Sequence, residues 1–196
     1  MKRDVKKQAV AKGAIRIISG QWRGRKLPVL DAQGLRPTTD RNKETLFNWL
    51  MPVIANSHCL DAFAGSGGLG FEALSRYAAA VTFIELDKKV ANNLQNNLFM
   101  LQVPVQKAQL IRGDSIKVLQ QLTEPYDVIF LDPPFQQNLL EPSIEKIVAA
   151  SLLRPKGLIY IECEGQGADY AVPDNWSCIK DKKSSQIISR LYQRLN

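Results

Sequence analysis

Apolar and polar positions change rhythm several times along the chain. A short apolar stretch, Ile15-Arg16-Ile17-Ile18, is followed by Ser19-Gly20, by Gly24, and by a second stretch, Leu27-Pro28-Val29-Leu30, that ends at Gly34. Two short runs separated by glycine-containing segments predict a small β-hairpin. Arg36-Pro37-Thr38-Thr39-Asp40 then reads as a loop ending in residues suited to cap a helix. Leu46, Phe47, Trp49, Leu50 and Val53 recur at helical spacing, which predicts an amphipathic helix over Arg41–Ile54 with its apolar face given to core packing.

Beyond Asn56 the rhythm alternates. Runs suited to strands fall at Cys59–Phe63, Val81–Leu86, Gln109–Arg112, Tyr126–Leu131 and Gly157–Cys163. Between them, amphipathic segments suited to helices fall at Leu69–Tyr77, Val90–Leu101, Ser115–Leu122 and Leu139–Ala150. Parallel strands need long crossovers, so this alternation predicts an α/β fold: a mostly parallel sheet with helices on both faces. The tail differs. Trp176–Ile179 and Gln186–Tyr192 are apolar runs separated only by Lys180-Asp181-Lys182-Lys183-Ser184-Ser185, which leaves no room for a helix. They predict an antiparallel hairpin at the sheet edge with a basic turn, bringing the sheet to seven strands.

Composition adds limits. With 196 residues, 45% of them hydrophobic, the chain is long enough to close one substantial core. Its longest apolar runs, Val128–Leu131 and Leu158–Ile161, are far shorter than the roughly 20 residues that cross a bilayer. Met1–Lys12 is basic but lacks the apolar centre of a secretory signal, so a cytoplasmic protein with no membrane association is expected. Cys59, Cys163 and Cys178 are odd in number and far apart, which points to reduced thiols. With His58 the only histidine, read as structural, no metal site is expected. The net charge of +7 favours a polyanionic partner, and Met1–Lys26 concentrates nine basic residues against the single acid Asp4.

Three strand ends carry candidate chemistry. The first runs into Asp61-Ala62-Phe63-Ala64-Gly65-Ser66-Gly67-Gly68-Leu69-Gly70 and then a helix. Glycines at such a turn permit positive φ and close ligand approach, as in dinucleotide enzymes too, while the absence of Gly-Lys-Ser/Thr excludes a Walker-type loop. Glu85 closes the second strand, where a carboxylate can accept both ribose hydroxyls; Asp87 reads as the cap of the next helix. Asp114, after the third strand, can accept from an adenine amino group or cap a helix, and the local sequence fits either role.

The fourth strand enters Asp132-Pro133-Pro134-Phe135, a rigid turn whose carbonyls remain free acceptors. An exocyclic base amine is a poor nucleophile because its lone pair is delocalised into the ring. Acceptance of its two hydrogens by the Asp132 carboxylate and the Pro133 carbonyl orients that lone pair towards a methyl sulfonium, while Phe135 stacks on the base. Alignment then supplies most of the rate, and no strong general base is needed.

Taken together, Asp61 through Gly67, Glu85, Asp114 and Asp132-Pro133-Pro134-Phe135 resemble the motifs of class I amino-methyltransferases, with a Rossmann-like fold. Arg23-Gly24-Arg25-Lys26-Leu27, Arg36-Pro37-Thr38-Thr39-Asp40-Arg41 and Glu44-Thr45-Leu46-Phe47-Asn48-Trp49-Leu50 resemble the N-terminal region of bacterial 16S ribosomal RNA guanine-N2 methyltransferases of the RsmD type. That resemblance implies methyl transfer from S-adenosyl-L-methionine to a guanine N2 in small-subunit RNA; a monomer is expected of a small enzyme that approaches a large particle. The resemblance also implies cofactor contacts from Asp61, Gly65, Gly67, Glu85 and Asp114, and a target-base site at Asp132, Pro133 and Phe135. Arg23, Arg25, Lys26, Arg36 and Arg41 would meet RNA, with Arg36–Arg41 closing over the site. Residues 1–38 would form a basic extension and 39–196 the methyltransferase domain. The alternatives are N6-adenine methylation of RNA or DNA, and a non-catalytic RNA-binding assembly factor on the same fold.

Overall fold

Apolar side chains at alternate strand positions need cover on both faces of a central sheet, and five helices among the described residues supply it. The computed structural model describes residues 13–30, 40–135, 137–165, 170–184 and 187–196. Within them the order is β1 (Gly13–Arg16), β2 (Lys26–Val29), α1 (Asp40–Leu50), β3 (His58–Asp61), α2 (Gly68–Ser75), β4 (Ala80–Glu85) and α3 (Lys88–Met100). Then follow β5 (Ala108–Arg112), α4 (Ser115–Leu119), β6 (Tyr126–Leu131), α5 (Leu140–Ala149), β7 (Leu153–Glu164), β8 (Trp176–Lys183) and β9 (Ile187–Arg194).

Seven strands form one sheet in the order β5-β4-β3-β6-β7-β9-β8, with β5 through β7 parallel and β9 antiparallel to both its neighbours. This is the α/β architecture the alternation predicts. The chain builds outward from β3 to β5, then returns to place β6 on the other side of β3. The order reverses between β3 and β6, and open α/β sheets bind ligands in the crevice beyond the strand ends at such a point.

The period-two pattern sorts the strand side chains into two cores. Cys59, Val81, Phe83, Val128, Phe130 and Tyr160 pack with α1, α2 and α3. Leu60, Ile84, Ile129, Leu131 and Ile161 pack with α4 and α5. Ring contacts between Phe47 and Phe130 (5.9 Å) and between Phe71 and Phe83 (5.3 Å) fix helices to the first face.

β1 and β2 form the expected antiparallel hairpin, with Ile15 opposite Leu27. Ile15, Ile17, Leu27 and Val29 belong to the same buried core as Phe47 and Phe71. Buried polar side chains hold the hairpin down. Glu72, 1% exposed, accepts from the Ile18 N–H (2.8 Å) and the Ser19 N–H (3.0 Å) and pairs with Arg76. Lys43, 2% exposed, donates to the Arg16 carbonyl (2.6 Å). Gly20 adopts φ +81°, and a Cβ there would lie 1.8 Å from the Ser75 carbonyl oxygen at the end of α2.

Two expectations need correction. The basic run Lys180–Lys183 is strand, and the turn is tighter, with the Ser184 N–H bonded to the Ile187 carbonyl (2.8 Å). Charged residues suit an exposed sheet edge, where they discourage further pairing. β7 begins at Leu153, because Arg154–Gly157 is accommodated as an irregularity: the register moves from Tyr126 opposite Leu153 to Val128 opposite Leu158. Pro155 and Gly157 suggest a break in sequence, yet the strand pairs on either side of it.

Candidate functional site

The loops after β3 and β6 meet at the reversal of strand order, where a cavity of about 750 Å³ opens at the carboxyl ends of the strands. Its wall includes Asp61, Gly65, Glu85, Asp114, Asp132, Pro133 and Phe135. Seven candidates from the ends of four adjacent strands thus share one space.

The loop after β3 is shaped by its backbone. Gly65 and Gly67 both adopt positive φ, 51° and 78°. Gly67 nevertheless lies outside the cavity wall: a Cβ on it would press on Phe71 (2.4 Å) and Leu94 (2.6 Å) in the core. Its positive φ and close packing on Phe71 and Leu94 shape the turn.

Several N–H groups of this loop are already engaged. The Gly65 N–H donates to Glu85 Oε2 (2.8 Å), the Gly67 N–H to the Ala64 carbonyl (2.7 Å) and the Gly70 N–H to Asp61 Oδ2 (3.0 Å). A pyrophosphate-binding turn offers such groups to its ligand. The charges agree: among the described residues the cavity is lined by Asp61, Glu85, Asp87, Asp114, Asp132 and Glu162 against Lys88 alone. Six carboxylates to one lysine suit a cationic ligand and oppose a dinucleotide. A sulfonium and an α-amino group supply such charge, so these residues fit S-adenosyl-L-methionine in both size and chemistry.

Each carboxylate has an identifiable position. Asp61 is buried, and burial, opposed by the Gly70 N–H and reinforced by the Glu85 charge, raises its pKa to about 7. Glu85 accepts from the Asp87 N–H (2.7 Å) as well as from Gly65, and burial again raises its pKa. Asp87 caps α3, accepting from the N–H groups of Lys89 (2.7 Å) and Val90 (2.9 Å), as expected. Asp114 accepts from the Lys117 N–H (3.0 Å), so it caps α4 while also lining the cavity. Ser115 ties that helix start to β3 through the Ala62 carbonyl (2.7 Å). At the β6 end, Pro133 is buried and Phe135 half-buried.

Glu162 is the cavity residue that the strand pattern did not flag. It lies in β7, 4% exposed, and a carboxylate interrupting the run Leu158–Cys163 near the end of a parallel strand was its available signal. Asn42 also lines the cavity, from the first turn of α1.

The basic candidates do not gather in one place. Arg41 is exposed beside Asn42. Arg23, Arg25 and Lys26 are exposed where the hairpin turns, and the Arg25 guanidinium lies 3.5 Å from the Met100 carbonyl at the far end of α3. The helix starts at cavity-lining Lys88 and spans 13 residues. At 1.5 Å per residue, Arg25 sits about 20 Å from the cavity mouth. Arg36 and most of the Arg36–Arg41 segment lie outside the described residues.

A family model described as Conserved hypothetical protein 95 matches residues 15–193. The chain is 54% identical over 185 residues to the ribosomal RNA small subunit methyltransferase D of Haemophilus influenzae, covering 93% of this chain and 95% of that one. It is 50% identical over 182 residues to the protein of the same name from Escherichia coli strain K12, covering 93% and 91%. The solved structure of yhhF from Escherichia coli superimposes with a TM-score of 0.87 at 48% identity, covering 93% of this chain and 99% of that one.

Proposed function

Since the chain belongs to the Conserved hypothetical protein 95 family, with relatives named ribosomal RNA small subunit methyltransferase D, we propose that it methylates the N2 amine of a guanine in 16S RNA of the small subunit. The methyl donor in this reading is S-adenosyl-L-methionine, which supplies an electrophilic methyl group on a cationic sulfur. One observation carries the proposal: the acid-lined end of the cavity at β3 and β4 opens directly onto Asp132-Pro133-Pro134-Phe135 at the end of β6.

In this reading each residue has a distinct task. Glu85, anchored by two backbone N–H groups, accepts the ribose hydroxyls. Asp61, held by Gly70, faces the cationic end of the cofactor. Asp114 accepts from the adenine amine while its cap bond to Lys117 holds it in place. Asp132 and the Pro133 carbonyl accept the two hydrogens of the target amine, and Phe135 stacks on the base. Asp132, or water beside it, would take the proton that the amine gives up once methylated. Exposed Arg23, Arg25, Lys26 and Arg41 attract RNA phosphates.

The test uses small ribosomal subunits from cells that lack this protein, incubated with the purified chain and methyl-labelled S-adenosylmethionine. The proposal expects label in N2-methylguanosine of the 16S RNA. Asp132→Ala should lower that labelling by about 10²-fold or more. Label confined to adenine, or full labelling by Asp132→Ala, would contradict it.

A further inference from the structure

Three nucleobases carry an exocyclic amine, and the ring nitrogen beside it on the Watson–Crick edge separates them. In guanine that neighbour is N1–H, a donor. In adenine and cytosine it is a bare lone pair, an acceptor. A carboxylate fixed beside the amine pocket therefore attracts guanine and repels the other two.

The cavity holds such a carboxylate. β6 and β7 run parallel with Phe130 opposite Tyr160 and Leu131 opposite Ile161, so Asp132 and Glu162 follow as neighbours at the carboxyl ends of the two strands. Both line the cavity. Glu162 is almost wholly buried, and the Tyr160 hydroxyl donates to its Oε2 at 2.5 Å, with Ser189 Oγ 3.1 Å from that hydroxyl. Burial, reinforced by the Glu162 charge, raises the Tyr160 pKa far above its ordinary range, which keeps the proton in place and the tyrosine a donor. An ionised carboxylate offers about four acceptor positions, and the bond from Tyr160 takes one of them and orients Glu162.

We infer that Glu162 selects guanine, accepting N1–H of the base while Asp132 and Pro133 accept the two hydrogens of the adjacent N2 amine. Three neighbouring donors on one edge of guanine then meet three acceptors on the ends of two adjacent strands. Glu162 is a specificity-determining residue in this account, and the account rests on the base-amine reading above.

The test replaces the guanine that receives the methyl group by 2,6-diaminopurine, introduced by ligating a synthetic segment into 16S RNA and reconstituting the subunit. This analogue keeps the 2-amino group and leaves N1 bare. The wild-type chain should methylate it with kcat/KM at least about 10²-fold below that for guanine, because a buried acceptor then faces a lone pair. Glu162→Gln, whose carboxamide can donate, should lose activity on guanine and gain on the analogue, shifting the ratio by about tenfold or more. A residue that only braces β7 against β9 would lower both activities together. The wild-type comparison needs no variant and so stands even if Glu162→Gln folds poorly, which cofactor calorimetry and melting would reveal. Equal wild-type activity on both bases, or an unchanged ratio in a folded Glu162→Gln, overturns the assignment with guanine N2 still the target. Absence of label from every guanine N2 with the wild-type chain fails the base-amine reading itself, and this assignment with it.

Discussion

The cavity rim and the N-terminal hairpin solve opposite electrostatic problems. At the rim, acidic side chains are steadied by backbone N–H groups from nearby loops: Gly65 and Asp87 for Glu85, Gly70 for Asp61, Lys117 for Asp114. At the hairpin, the anchoring charges belong to the helices beneath it, and the hairpin contributes mainly backbone: Glu72 receives Ile18 and Ser19, and Lys43 reaches Arg16. The rim thus keeps negative charge facing the cavity, where a cationic cofactor suits it. The hairpin leaves Arg23, Arg25 and Lys26 exposed about 20 Å away, where they suit phosphates.

If the hairpin is fastened as described, its anchors should show the largest effect on stability. Glu72→Ala leaves two N–H groups and the Arg76 guanidinium without their shared acceptor, and should cost about 3 kcal/mol in chemical denaturation. A cost below about 1 kcal/mol would mean that apolar packing alone holds the hairpin.

The rim should reveal itself through pH. Asp61 has a folded pKa of about 7, above its unfolded value, so its contribution to stability is present at low pH and lost as pH rises through about 7. Without cofactor, Asp61→Asn should therefore be more stable than wild type at pH 8 by about 2 kcal/mol, with the gap closing towards pH 5. A gap independent of pH would contradict the burial of a titrating carboxyl there. The same substitution should weaken cofactor binding, since it removes a negative charge from the wall.

The smallest effect sharpens the separation of the two regions. Charge reversal at both Arg23 and Arg25 should weaken binding to small-subunit RNA about tenfold at moderate salt and flatten its salt dependence. Cofactor affinity, measured by calorimetry, should stay unchanged. A matching loss of cofactor binding would join the two regions into one.

Much of the rim was readable in the sequence because its signals are local. Period-two strands, a glycine turn and Asp132-Pro133 each lie within ten residues, and strand ends on one edge of a parallel sheet share a rim by topology. What escaped depends on tertiary neighbours. Lys43 and Glu72 read as ordinary polar positions on helices, yet both are buried and bonded to the hairpin backbone. Glu162 gains its meaning from the register of β7 against β6, which no single segment encodes. The run Lys180–Lys183 read as a turn because charge outweighed pairing, although an edge strand accommodates both. The glycine turn alone left a dinucleotide open; the acceptors already engaging its N–H groups, and six carboxylates in the wall, are what oppose it.

The most direct measurement of the central claim is mass analysis of nucleosides from 16S RNA of cells lacking this protein. One N2-methylguanosine should disappear, return with the wild-type chain and stay absent with Asp132→Ala. An unchanged set of N2-methylguanosines, or its restoration by Asp132→Ala, would contradict it.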